Sequence, residues 1–283
     1  MVNTFTLSSQ DGLQLLVHEW HPGMRPRGVV CVLHGHGEHG ARHSALGEAL
    51  ARAGFAVLAL DIRGHGRSEG GRGHTPSYAH LLDDTDTLLL RATHRYPKQP
   101  CFLYGHSFGG NIALNHALRR PASGIAGVIV TCPWLRLTHE ISRIRVALAH
   151  VVDPLWPSLT VSTSIDRPKL VLGPHDDSTL GRDPLNHDRI SIRAFLSTRS
   201  AGLWALDHAQ QLTIPALVLQ SELDDIADPH TNRAFASRAN GPCEFTLLRG
   251  AYHNVHLDPQ QEGYMKRIQA WLETRVTPGV TEA

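Results

Sequence analysis

The sequence predicts an α/β fold, an open and mostly parallel sheet with helices on both faces and one helical insertion. Three observations carry this expectation. Apolar runs of strand length recur at 28–33, 56–60, 101–104, 127–131, 216–220 and 244–248, continuous rather than alternating, as in strands buried on both faces. Helix-length segments separate most of them, the pattern of parallel strands joined by crossovers. Between 133 and 199 the alternation lapses and then resumes. With 283 residues the chain can bury a sizeable core, either as two domains or as one large domain with an insertion.

Taken in order, residues 4–20 alternate apolar and polar around Asp11-Gly12, a turn dipeptide, and predict an opening β-hairpin. Residues 45–53 and 77–95 read as helices. The interval 133–199 carries Trp134, Pro154, Trp156, Pro157 and Pro168 and no clear buried strand, yet Ile141, Ile144, Leu148, Val151 and Leu155 recur at helical spacing. It is expected to form a helical cap over the carboxyl ends of the strands, where such sheets place ligands, with 1–132 and 200–283 as the core. The stretch after Thr277 is short, contains Gly and Pro, and is expected to fray.

Composition narrows the function. Lys and Arg number 27 against 26 Asp and Glu, a formal net charge of +1, and neither end carries a block of like charge. That argues against nucleic acid or an acidic surface as the main partner and favours a small molecule. A basic segment followed by a long apolar one is missing from the N-terminal stretch, and no run reaches membrane-spanning length, so a soluble, cytoplasmic protein is expected. Four cysteines without CxxC spacing are expected as buried free thiols. Twenty histidines invite a metal reading, but most are scattered without HExxH or paired-ligand spacing. Solvated or structurally bonded imidazoles are expected for the majority, with no metal and no organic cofactor.

The stretch richest in chemical meaning is Phe102-Leu103-Tyr104-Gly105-His106-Ser107-Phe108-Gly109-Gly110, a strand running through Gly-x-Ser-x-Gly into helix-compatible residues. A serine at the apex of so tight a turn needs glycines two before and two after it, and its hydroxyl is lifted clear of the sheet. The first turn of the following helix would offer the Phe108 N–H to a developing negative charge. His34-Gly35-His36-Gly37-Glu38 directly follows the first long buried strand, and its glycines let the His36 N–H serve as a second such donor. A serine hydroxyl also needs a histidine to take its proton and a carboxylate to orient that histidine. Carboxylates follow the strand at 216–220, at Asp224, Asp225 and Asp228, and His253 and His256 follow the strand at 244–248. Serine, acid and histidine therefore stand in the chain order Ser, Asp, His, each after its own strand.

Together these pieces resemble the α/β-hydrolases, and more narrowly the monoacylglycerol lipase and lysophospholipase-like branch. The matching segments are His34-Gly35-x-Gly37-Glu38-His39, Asp61-x-Arg63-Gly64-His65-Gly66-x-Ser68, Gly105-His106-Ser107-x-Gly109-Gly110, Asp183-Pro184-Leu185, Asp224 with Asp228, and Gly250-Ala251-Tyr252-His253 with His256. The resemblance implies an eight-stranded α/β-hydrolase sheet, Ser107 as nucleophile, Asp224 as acid, His253 as base, and His36 and Phe108 as backbone oxyanion donors. It also implies that Glu38, Arg42 and His256 line a polar pocket for a glycerol head group. Relatives commonly have a small residue where this chain has His36, whose bulk is expected to narrow the site or alter selectivity. Asp61 to Ser68 reads as a supporting loop that Arg63 can tie down. The expected activity is cleavage of a monoacyl ester, with lysophospholipase, general short-chain carboxylesterase and a non-catalytic ligand-binding protein of the same fold as alternatives. Transient membrane-surface contact through the cap completes the expectations.

Overall fold

The structure, a computed structural model, describes residues 2–163, 183–259 and 261–276. The opening hairpin pairs β1 (Val2–Ser8) with β2 (Gln14–Trp20), antiparallel, Val2 opposite Trp20 and Ser8 opposite Gln14. After it come β3 (Gly28–Leu33), α1 (Ser44–Arg52), β4 (Phe55–Leu60), α2 (Tyr78–Arg95), β5 (Cys101–His106), α3 (Phe108–Arg119) and β6 (Gly127–Thr131). Beyond β6 lie α4 (Arg143–Val152), β7 (Thr160–Ser162), β8 (Arg189–Ser191) and α5 (Ile192–Asp207). The chain returns to the sheet with β9 (Ala216–Ser221), α6 (Pro229–Arg238), β10 (Cys243–Leu248) and α7 (Gln261–Glu273).

Eight strands form one sheet in the order β1-β2-β4-β3-β5-β6-β9-β10, and every pair from β4 onward is parallel. The continuous apolar runs have their cause here. In β3, Val29, Cys31 and Leu33 pack with Leu88 of α2 and Ile112 of α3, while Val30 and Val32 pack with Leu46 of α1 and Trp271 of α7. Both faces are covered, so neither set can be polar.

The insertion departs from expectation in two ways, and its apolar stripe has a direction that the spacing left open. A short antiparallel ribbon, β7 with β8, is present, and its Ile190 and Ser191 are buried. Three-residue strands among Arg, Asp and Ser leave no periodicity to read. Arg199, the expected last residue of the cap, lies inside α5, whose Ala194, Ala201 and Ala205 are buried. The boundary therefore cannot fall at 199/200. Finally, the apolar stripe turns outward: Ile144 is 82 % exposed, Leu148 61 %, Val151 66 % and Leu155 84 %, and α4 buries no residue. The cap expectation for 164–182, Pro168 included, and the fraying expected after Thr277 lie outside the described residues.

One buried cation joins three pieces of the core. Arg63 is 2 % exposed; its Nη1 meets Asp11 Oδ2 of the hairpin turn at 2.8 Å and its Nε meets Asp84 Oδ2 of α2 at 2.6 Å. The loop from Asp61 to Ser68 is thus tied to hairpin and helix, as its supporting role requires. Removing one partner of a buried pair strands the other charge, at a cost of about 3–5 kcal/mol. Arg63→Ala is therefore expected to lose stability on that scale in urea denaturation, while Arg52→Ala, at an exposed i,i+4 pair with Glu48, is expected to change it by less than about 1 kcal/mol.

Candidate functional site

The glycines around Ser107 are there because nothing larger fits. A Cβ on Gly105 would lie 2.2 Å from the Gly109 carbonyl oxygen, and one on Gly109 would lie 2.2 Å from that of Leu33. Strand β5, helix α3 and the end of β3 meet at van der Waals limits. Ser107, caught between them, takes φ 50° and ψ −109°, in the positive-φ region that costs a non-glycine residue on the order of 1–3 kcal/mol. Main-chain bonds hold it there: Ser107 N–H donates to Thr131 O at 2.9 Å, and Ser107 O accepts from Asn111 and Trp134 N–H at 2.9 and 3.0 Å.

Four strand ends converge on this turn. Ser107 follows β5, Asp224 follows β9, His253 follows β10 and His36 follows β3, all at the carboxyl ends. Ser107 Oγ lies 2.8 Å from His253 Nε2, and His253 Nδ1 lies 2.9 Å from both carboxylate oxygens of Asp224. Only an Nδ1–H can meet a carboxylate, so Nε2 carries the lone pair that faces the serine hydroxyl. Asp224 also accepts from Ile226 and Ala227 N–H, each at 2.9 Å, and from Gln220 Nε2 at 3.0 Å. Burial alone would push its carboxyl up, but the His253 charge and these hydrogen bonds outweigh it and hold the group below the ordinary value.

The competing acids are committed elsewhere. Asp225 Oδ1 meets His139 Nε2 at 2.6 Å, and Asp228 caps α6 by accepting from His230 N–H at 3.0 Å. A support absent from the sequence reading is Asn232, whose Nδ2 donates to Gln220 Oε1 at 2.7 Å, fixing the amide that faces Asp224. Gln220 was visible in principle as a polar residue closing an apolar strand. Asn232 carried no signal.

Phe108 begins α3, where a helix leaves its first N–H groups without intrahelical partners. His36 stands between Gly35 and Gly37, and the loop is pinned to the elbow by Gly109 N–H donating to His34 O at 3.1 Å. The His36 ring reaches the insertion, where Nε2 donates to Arg189 O at 3.0 Å, and meets Phe108 edge-on at 5.7 Å.

Two of the expected head-group residues meet directly. Glu38 and His256 come together, Oε1 to Nε2 at 3.1 Å, both buried. Arg42 Nη1 lies 4.0 Å from Asp183 Oδ2, beside His39 Nε2 at 2.8 Å from the same oxygen. Burial opposes the Glu38 charge, yet His256 and then His106 and His43 hold its carboxyl well below the ordinary range. His106 itself is pushed down to about 3, first by burial and then by His256. As a neutral ring it links Thr131 Oγ1 at 3.0 Å to Asn254 Oδ1 at 3.2 Å, 5.2 Å from the His253 ring.

Fold and site define an α/β-hydrolase, and the comparisons make the family specific. The chain belongs to the Hydrolase_4 family, described as serine aminopeptidase, S33, which it matches over residues 24–260. It is 28 % identical to a monoacylglycerol lipase of Mycolicibacterium smegmatis over 92 % of this chain and 93 % of the relative. An uncharacterized abhydrolase domain-containing protein of Dictyostelium discoideum is 32 % identical over 98 % of this chain, which spans 30 % of that longer protein. The crystal structure of a monoacylglycerol lipase from Paleococcus ferrophilus superposes with a TM-score of 0.85 at 32 % identity, covering 92 % of this chain and 99 % of that one. Among the described residues, no helix is long and apolar enough to cross a membrane.

The packing at the elbow makes a testable contrast. Gly109→Ala is expected to destabilise by about 3 kcal/mol or more, because the obstructing atoms are main chain. Gly263→Ala, on α7 with nothing within 4 Å of the added Cβ, is expected to leave stability unchanged or raise it by up to about 1 kcal/mol. Thermal unfolding of the two variants distinguishes them.

Proposed function

We propose that the protein hydrolyses monoacyl esters, as a monoacylglycerol lipase-like enzyme, with Ser107 as nucleophile, His253 as general base and Asp224 as its orienting acid. The observation that carries this reading is the continuous chain from Ser107 Oγ through His253 to Asp224, at 2.8 and 2.9 Å. In the proposed reaction Ser107 Oγ bonds to the ester carbonyl carbon while its proton passes to His253 Nε2. The oxyanion rests on the His36 and Phe108 N–H groups. Collapse breaks the bond to the alcohol, which leaves with the proton from His253. Water, deprotonated by His253, then attacks the acyl-serine, the carboxylic acid leaves and Ser107 regains its proton. The similarity to monoacylglycerol lipases over nearly the whole chain supports a glycerol-like alcohol side. Glu38 and His256 are its proposed polar wall, with Arg42 joining through Asp183.

A fluorophosphonate probe is expected to label Ser107, and Ser107→Ala or His253→Ala is expected to lower turnover by about 10⁴ to 10⁶-fold. Asp224→Asn is expected to follow them, with Asp225→Asn and Asp228→Asn near wild type. Labelling at another residue, or a larger loss in Asp225→Asn than in Asp224→Asn, overturns the assignment. A monoacylglycerol is expected to be preferred over the matched ethyl ester, and Glu38→Gln to lose that preference, since a site built to bond hydroxyls is left unpaired without them. Preferential cleavage of an aminoacyl anilide would move the reading to a peptidase.

We infer, second, that the described residues 133–163 and 183–191 belong to the cap, and that α4 touches lipid surfaces transiently. Ile144, Leu148, Val151 and Leu155 make a contiguous outward apolar face, with Trp156 58 % exposed beside them. Ile144→Ser with Leu155→Ser is expected to reduce co-sedimentation with phosphatidylcholine vesicles several-fold and to leave hydrolysis of a soluble short-chain ester unchanged. Equal sedimentation of variant and wild type sinks this part.

A further inference from the structure

Outside the serine site, three histidines from three separate segments converge: His36 of the loop after β3, His65 of the loop after β4, and His187 just before β8. Ring centroids are 5.2 Å apart for His36 and His65, 4.6 Å for His65 and His187, and 5.6 Å for His36 and His187. One nitrogen from each lies within 4.8 Å of the other two. From this geometry we propose that His36, His65 and His187 bind a divalent transition metal ion, zinc in the first instance, which three imidazoles suit.

The surroundings prepare the rings for ligation. His65 is 3 % exposed, and its Nδ1–H donates to Arg63 O at 3.0 Å, which places the lone pair on Nε2. That Nε2 is buried without a hydrogen-bond partner, as is Nε2 of His187. An orphaned buried nitrogen is costly, and an ion at the shared focus would satisfy both. His36 donates from Nε2 to Arg189 O, leaving its lone pair on Nδ1. Burial, then the field of His187, pushes His36 down to about 3, and burial drives His65 and His187 down as well. A neutral imidazole is the form that ligates metal.

Three ligand segments are also held together by the main chain. His187 N–H donates to Gly37 O at 2.9 Å, and Ser191 N–H to Gly73 O at 2.9 Å. Tetrahedral zinc with Zn–N of about 2.0–2.1 Å sets ligand nitrogens roughly 3.4 Å apart, so the rings must close by about an ångström. His36 and His187 are only half-buried and can rotate. On ligation through Nε2, His187 gives up the 3.2 Å bond that its Nδ1 accepts from Arg189 N–H. The Arg72 guanidinium, whose charge lowers His187, is engaged with Gly66 O at 2.7 Å. The other buried donor groupings are spoken for: Asp61, grouped with His18 and His39, already accepts from Gly40 and Arg67 N–H; Glu38, grouped with His43 and His256, accepts from Gly35 N–H and meets His256 at 3.1 Å; and Asp224 with His253 belongs to the serine site.

The test is zinc binding by the EDTA-treated full chain, followed by calorimetry, with cobalt(II) absorption as a second readout. Wild type is expected to take one tight equivalent of zinc and to give the intense visible bands of tetrahedral cobalt. His187→Gln and His65→Asn are each expected to weaken binding by about 100-fold and to lose those bands. His150→Ala, at an exposed histidine of α4, is expected to bind as wild type does. Should His65→Asn not fold, His187→Gln decides alone. A tight equivalent that survives in His187→Gln, or a wild type that binds no more tightly than that variant, overturns the proposal.

Discussion

Everything at the reactive end of the sheet follows from how closely β5, α3 and the end of β3 approach one another. With Gly105 and Gly109 each leaving less than a methyl group's clearance to main-chain oxygens, the turn between them has one conformation available, and Ser107 must occupy it at positive φ. The strain is sustained because main-chain bonds to Thr131, Asn111 and Trp134 over-determine it. Those same bonds fix the height of Oγ relative to β9 and β10, whose ends bring Asp224 and His253 into line. The site is therefore a product of backbone packing first and of side-chain chemistry second.

Buried histidine is the second recurring device. His34 donates from Nδ1 to Gly35 O at 2.7 Å and accepts at Nε2 from Ile62 N–H at 3.0 Å, so one neutral ring joins two loops. Burial pushes it down to about 4, which keeps it uncharged. His106 performs the same service between Thr131 and Asn254. A neutral imidazole is planar, donates at one edge and accepts at the other, and can be buried without a counter-ion. Glu38 differs from these rings, a charge kept in the interior by the imidazoles around it and by the Gly35 N–H at 3.2 Å.

Much of this was legible in the sequence wherever a local pattern existed. The hairpin, the six buried strands and the spacing around Ser107 are written in contiguous residues, because burial on both faces demands unbroken apolar runs and a tight turn demands glycine. Asp224 and His253 could be found because each closes such a run. Pairings between distant segments left no local trace. Arg42 and Asp183 are 141 positions apart, and nothing near either residue announces the other. Helix α4 shows a different limit: its apolar spacing was real, but periodicity reports that a helix has an apolar face, not which way that face points. The three-histidine cluster draws one residue from each of three loops, so no spacing rule could reveal it.

The glycines that meet the insertion have a mechanical meaning. A Cβ on Gly73 would lie 1.8 Å from Arg189 O, and one on Gly37 would lie 2.1 Å from His187 O. With the two main-chain bonds at these points, the stretch from His187 to Ser191 is seated on the core like a foot in a socket, whereas α4 stands on the outside with no buried residue. The insertion thus has an anchored base, and its outer arm is tied to the start of α5, where Arg193 Nε meets Asp153 Oδ1 at 2.7 Å and Ile192 N–H donates to Leu159 O at 2.9 Å. Displacing that base would break both main-chain bonds together and withdraw the carbonyls of His187 and Arg189 that close on Gly37 and Gly73.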